Sequence, residues 1–81
     1  MLSMPKEVIL TETPAKHTDD EEWWELHYSS EDWLRRHPNN TQHYTSVIRK
    51  TCADIENLKK GDRILVTIER QRVVKVAAVK D

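Results

Sequence analysis

From Thr41 onward, apolar side chains fall at Tyr44, Val47, Ile48, Cys52, Ile55 and Leu58. This 3-and-4 spacing keeps all six within about 140° of arc on a helical wheel, and it predicts a long helix over residues 41–60. Lys59 and Lys60 suit the negative end of that helix, and Gly61, the only glycine, suits the left-handed residue that follows one. Thr45, Val47 and Thr51 lower the propensity, so Cys52-Ala53-Asp54 is where the helix would break.

Beyond Gly61 the period changes to 2. Arg63 to Glu69 and Val73 to Val79 read as strands joined by Arg70-Gln71-Arg72. With those three residues as the loop, Ile68 faces Val74, Val66 faces Val76 and Ile64 faces Ala78, so one face is wholly apolar. A two-residue loop would set Lys75 opposite Val66 on that face, so the three-residue register is expected. Gln71 or Arg72 must then take a left-handed conformation, because the loop holds no glycine. The other face, with Arg63, Leu65, Thr67, Glu69, Val73, Lys75, Ala77 and Val79, is too mixed to be fully buried.

In the N-terminal half, Lys6 to Glu12 is a β-branched run between Pro5 and Pro14 and reads as a strand. Thr18 and Glu21 have capping-box spacing, and acidic residues 19–22 favour a first helical turn, so a short helix over about 19–28 is expected. On it Trp23, Leu26 and His27 share one side and Trp24 and Tyr28 another; a strand is the alternative. Ser29 or Ser30 caps a second helix from Glu31 to Arg36, which Pro38 terminates. Pro38-Asn39-Asn40 is a turn. The expected order is β-α-α-α-β-β: an α+β domain spanning 1–81, residues 1–5 disordered, with the long helix packed on a small antiparallel sheet that ends in a β-hairpin.

Eighty-one residues allow one core. The opening residues lack a basic stretch followed by an apolar one, and the runs Ile64-Leu65-Val66 and Val76 to Val79 are too short to span a bilayer. Cys52 has no second cysteine to pair with. Together these point to a cytoplasmic, reducing environment without a membrane partner. Asn39-Asn40-Thr41 matches a glycosylation pattern but reads as a loop. Charge divides along the chain: residues 1–34 hold nine acidic and two basic side chains, residues 35–81 eleven basic and five acidic. Either the halves neutralise each other on folding, or the surface has an acidic and a basic side.

The sequence offers no glycine-rich phosphate loop, nucleophile elbow or His-Glu-x-x-His pair. The four histidines, His37 and His43 among them, lack zinc-site spacing. Cys52, on an apolar face, is expected to be buried and inert. No catalytic residue, metal or cofactor is assigned.

Gly61-Asp62-Arg63-Ile64-Leu65-Val66, followed by a turn and Val73-Val74, resembles a strand pair of RelE/ParE-type toxins, which are ribosome-dependent or gyrase-directed proteins with a helix pair on an antiparallel sheet. The resemblance covers about twenty residues and says nothing by itself of function. The tyrosine expected after Asp62 is absent, and neither a His-Arg nor an Arg-x-x-Tyr tail follows. It implies a helix pair, a basic motif position at Arg63, and toxin activity as a second alternative.

The aromatic residues carry the leading functional reading. Trp23, Trp24, Tyr28, Trp33 and Tyr44 are the whole aromatic set, interleaved with acid. Trp33 and one of the adjacent pair Trp23-Trp24 are expected to fill a core that has no phenylalanine. The other member of the pair should point outward. An exposed tryptophan ringed by acid suits a non-enzymatic interaction module, a bacterial or phage regulator or inhibitor that binds a basic protein surface through Glu21, Glu22, Trp23, Trp24, Glu25 and Tyr28. The alternative is a nucleic-acid-binding regulator using Arg35, Arg36, Arg49, Lys50, Arg70, Arg72 and Lys75. Against it stand a pI of about 6.4 and the placement of the stacking aromatics in the acidic half. Oligomeric state is left open.

Overall fold

The computed structural model describes residues 4–17, 22–38 and 40–79. Residues 1–3 of the expected disordered start, the Thr18 and Glu21 of the expected capping box, and Asn39 lie outside the described residues. The chain forms strands β1 (Lys6–Leu10), β2 (Ala15–Lys16), β3 (Trp23–Ser29), β4 (His43–Ile48), β5 (Arg63–Glu69) and β6 (Arg72–Ala78), and one helix, α1 (Glu31–Arg36). Two single-turn 3₁₀ segments, Arg49–Thr51 and Ile55–Asn57, link β4 to β5. The expected α+β architecture is therefore corrected to a mainly antiparallel sheet with one short helix.

The segment expected to be a helix over 19–28 is a strand where it is described. In β3, Trp24, Leu26 and Tyr28 are buried, while Trp23, Glu25 and His27 stand on the other side. This two-residue alternation is what a pleated strand with one covered face requires. The long helix over 41–60 is also absent. His43–Ile48 pairs with all of β3 from Trp23↔Ile48 to Tyr28↔His43, and β-branched Thr45, Val47 and Ile48 suit a strand. Val47, Cys52, Ile55 and Leu58 are buried as the helical spacing suggested, but by a strand followed by two tight turns. Tyr44, which the helix would have buried, is 57 % exposed. Gly61 is left-handed (φ +93°), in the turn that enters β5 and not at a helix end; its N–H donates to the Leu10 carbonyl (2.8 Å).

The helix over Glu31–Arg36 forms as its caps dictate. Ser30 Oγ accepts from Trp33 N (3.2 Å), Glu31 and Asp32 occupy the first turn, and Arg35 and Arg36 the last. Ser29, fully buried, fastens the return of the chain: its hydroxyl accepts from Gln42 N (2.7 Å) and donates to the Asn40 carbonyl (3.0 Å).

The sheet has Greek-key connectivity. β1, β3 and β4 form a meander, and β5 returns to pair with the free edge of β1. β4 occupies one edge of β3 along its length, so β1 (Leu10↔Tyr28) and the short β2 (Lys16↔Trp24) share the other edge end to end. β6 then pairs with β5. Every pairing is antiparallel, so the terminal strands β4 and β6 run in the same direction. The sheet curls until these two face each other across a cleft, with no ladder between them among the described residues. Its inner face buries Val8, Leu10, Trp24, Leu26, Ile64 and Val66, and Cys52, Ile55 and Leu58 from the turns join the same core.

The C-terminal hairpin combines two registers. Ile64↔Ala78 and Val66↔Val76 are as expected, but Ile68 pairs with Val73 and Glu69 with Arg72, with an irregularity between Thr67 and Ile68. The loop is therefore two residues, Arg70 (φ +50°) and Gln71 (φ +65°). Left-handed conformation at both central positions is that of a type I′ turn, whose twist matches the strands it joins. The bulge leaves Val74 as the extra residue and restores the apolar pairing beyond it. Holding two residues other than glycine at positive φ costs about 1–3 kcal/mol each.

Candidate functional site

The strands decide which of the sequence-selected residues reach solvent together. Trp24 is buried in the core and Tyr28 is 4 % exposed, its hydroxyl pKa raised by burial. Neither joins a surface patch. Glu21 lies outside the described residues. Glu22 is exposed, and its carbonyl accepts from Arg49 N (2.7 Å), which ties the start of β3 to the end of β4. Glu25, half-buried on the outer face of β3, accepts from the Tyr44 hydroxyl (2.7 Å) and lies 3.6 Å from His17 Nε2. The Tyr44 pKa is raised chiefly by that hydrogen bond. Tyr44 also meets the edge of His27 at 4.7 Å, and His27 Nδ1 lies 3.9 Å from Glu12. Much of the acid on this face is therefore engaged by neighbours.

Trp23 has a different setting. It is 41 % exposed and lines a cleft of about 550 Å³ between the terminal strands. Thr45 to Ile48 and Thr51 form one wall; Gln71, Arg72, Val73 and Val74 form the other. The hairpin tip, remote in sequence, thus comes to the exposed tryptophan because the sheet curls. The cleft continues past Thr51 into a second hollow of about 410 Å³ bordered by Lys50, Asp54 and Lys75. Lys50, Asp54 and Lys75 line the second hollow and Arg72 the first, with Glu69 as the cross-strand neighbour of Arg72.

The remaining basic candidates divide. Arg49 is paired with Glu56. Arg70 occupies the hairpin tip. Arg35 and Arg36 lie on α1, beyond the Tyr28↔His43 end of the β3–β4 ladder, whereas the cleft is at the Trp23↔Ile48 end. Arg35 is further held by Glu31 and Asp32. Arg63, the position singled out by the toxin resemblance, bonds Glu31 (3.0 Å) and approaches Glu7 (3.8 Å). The helix pair implied by that resemblance is absent from the described residues.

Sequence reasoning did not select Ile48, Gln71 or Val74 as site residues. Its one available signal was a tight hairpin tip made of Arg and Gln where glycine is favoured. Among the described residues, no group of three or more His, Cys, Asp or Glu side chains is placed to hold a metal ion, and no helix is long and apolar enough to cross a membrane. Cys52 is 1 % exposed, and burial raises its thiol pKa.

No family model matches the chain, and no curated protein or solved structure shows a significant match to it.

Proposed function

We propose that this chain is a non-enzymatic binding module for single-stranded nucleic acid, taken up along the seam between β4 and β6. The observation that carries the reading is the meeting of Trp23 with Gln71 and Arg72 in one open cleft. Non-specific single-strand binding combines an aromatic platform with a positively charged groove that follows the phosphates. Trp23 supplies the platform. Lys50, Arg72 and Lys75 supply the groove, and among the described residues none of these three is committed to an ion pair. The sequence-level objection, that aromatics and basic residues lie in different halves of the chain, loses its force at Trp23. The modest pI fits a narrow basic strip better than a broad cationic surface.

Architecture supports the same reading by analogy alone. Partly open five-stranded Greek-key barrels of the OB type bind oligonucleotides on a strand face and its flanking loops, although architecture does not assign function. The lone buried Cys52 suits a reducing, cytoplasmic setting. The protein-interaction reading rests on fewer exposed residues than the sequence suggested, because Trp24 and Tyr28 are buried.

Titration with an octathymidylate and an octauridylate at low salt, followed by tryptophan fluorescence, tests the proposal. Quenching is expected, with binding that weakens as salt rises. Trp23→Ala should lower affinity about tenfold or more, the effect of losing a stacked base. Absence of binding to either oligomer overturns the proposal, as does equal binding by the Trp23→Ala variant. Preferential binding of an acidic peptide in competition would point instead to strand addition by a protein partner at the β4 edge.

A further inference from the structure

We infer that the bulge at Val74 holds the seam between β4 and β6 open, and that Val74 is thereby a positioning residue for the cleft at Trp23. What the opening serves rests on the single-strand reading above; that the bulge makes it does not.

Backbone alternation tells which groups of β4 face the seam. Arg49 N donates to the Glu22 carbonyl (2.7 Å), one step beyond the Trp23↔Ile48 pair. In an antiparallel ladder, residues bonded to the partner strand alternate with residues turned away from it. Val47, Thr45 and His43 therefore bond β3, and the N–H and C=O groups of Ile48, Ser46 and Tyr44 point to the free edge. That edge carries no register shift, proline, lysine, arginine or carboxylate over His43–Ile48 to discourage pairing. β6 runs alongside in the same direction, as a parallel ladder requires, yet among the described residues no such ladder forms.

The obstacle lies on β6. Gln71 to Val74 stand opposite Thr45 to Ile48, and Val74, 41 % exposed, is the extra residue between the pairs Ile68↔Val73 and Thr67↔Lys75. A bulge bends its strand and raises its twist, and at a sheet edge or barrel rim it terminates pairing. Residue count does not force the bulge to this place. A three-residue loop would absorb the same residue at the tip with one left-handed position, and would keep Val66↔Val76 and Ile64↔Ala78. Instead a two-residue turn, with Arg70 and Gln71 both left-handed as that turn demands, shifts the odd residue to the stretch that faces β4. The strand is bent where it would otherwise complete the ladder, and the cleft of about 550 Å³ remains beside Trp23.

Deleting Val74 removes the bulge while every other pair of the hairpin keeps its partner, since Ile68↔Val73 and Thr67↔Lys75 become consecutive. A second variant combines that deletion with a glycine inserted after Arg70, which returns the odd residue to the tip. Both are compared with the parent by amide hydrogen exchange and by titration with octathymidylate. In the parent, the Ser46 and Ile48 amides should exchange about tenfold or more faster than those of Thr45 and Val47. In both variants the Ser46 and Ile48 amides should slow about tenfold or more as β6 pairs with β4, and affinity for octathymidylate should fall by a similar factor as the cleft closes. Val74→Ala, which keeps the residue count, should keep the parent's exchange pattern. Fast exchange at Ser46 and Ile48 in the variants overturns the inference, as does slow exchange at both in the parent. Loss of fold in one variant leaves the other to decide; loss in both makes the bulge a requirement of the hairpin itself and overturns the inference too. Slowed exchange with octathymidylate binding intact, or a parent that binds no oligomer, defeats the single-strand reading and leaves the role of the bulge standing.

Discussion

Trp23 and Arg72, at the start of β3 and the start of β6, line one cleft. Their proximity comes from the curl of the sheet, since each strand reaches the seam by a different route through β1. The phosphate contact assigned to Arg72 should appear in the salt dependence. Arg72→Ala should reduce the slope of log affinity against log salt by about 0.7 for a single-stranded ligand. Trp23→Ala should lower affinity with the slope unchanged. Titrations at four or five salt concentrations separate the two, and a Trp23 variant with the larger change in slope would contradict the assignment.

The adjacent tryptophans should differ in their effect on stability. Trp24 is 9 % exposed and packs in the core with Leu26 and Val47. Trp24→Ala should cost about 3–5 kcal/mol, comparable to the whole stability of a domain this small. Trp23, 41 % exposed at the rim of the cleft, should leave the melting temperature nearly unaltered when truncated. Thermal melts of the two single variants decide the matter; equal losses would mean that Trp23 is a packing residue.

These tryptophans also illustrate how much of the molecule is legible in its sequence. Their adjacency makes it hard to bury both, since neighbours point about 100° apart on a helix and to opposite faces on a strand, so an exposed partner was readable while the element was not. The acidic run and capping-box spacing near Glu21 favour a helix locally, but burying Trp24, Leu26 and Tyr28 together demands a two-residue period. Tertiary packing overrode propensity, as it also did from His43 to Leu58. There Val47, Cys52, Ile55 and Leu58 satisfy a helical spacing and are buried, yet β3 needed a partner along its whole length and took His43–Ile48.

Short-range signals fared better. Ser30, Glu31 and Pro38 are enough to define α1, because capping is local chemistry. Pairing of Val66 with Val76 follows from the need for an apolar face. The bulge at Val74 was illegible, since it lets a two-residue turn and the apolar register coexist, and alternation alone treats these as exclusive. The cleft was illegible for a different reason: it is made by the curl of the sheet, and nothing in the spacing between Trp23 and Arg72 records that.

Ser29 should be costly to replace despite its small size. Its hydroxyl is fully buried, accepting from Gln42 N and donating to the Asn40 carbonyl. Ser29→Ala removes both bonds, and because they are part-buried, with Asn40 exposed and Gln42 half-buried, the cost should lie near the low end of the range for an unsatisfied group, about 1 kcal/mol. Urea unfolding should show a lower midpoint with an unchanged slope. A midpoint equal to the parent's would mean that water or a shifted backbone replaces the hydroxyl.

The ion pair between Arg63 and Glu31 predicts how the fold responds to acid. Arg63 Nη2 donates to Glu31 Oε1 at 3.0 Å, joining β5 to the first turn of α1. That hydrogen bond, then the charges of Arg63 and Arg35, hold the Glu31 carboxyl below its ordinary value. A carboxyl whose pKa is lower in the folded than in the unfolded chain stabilises the fold fully above the unfolded value and loses that contribution as pH falls through the folded one. The loss should therefore begin as pH falls through the ordinary carboxylate value and continue below it. Because Glu31 is exposed, solvent screening keeps the effect small. Urea midpoints measured from pH 7 down to pH 2 should fall less steeply in Glu31→Gln and in Arg63→Gln than in the parent, with all three curves converging at the acid end. If the Arg63→Gln curve ran parallel to that of the parent over the whole range, the coupling between β5 and α1 would be electrostatically silent.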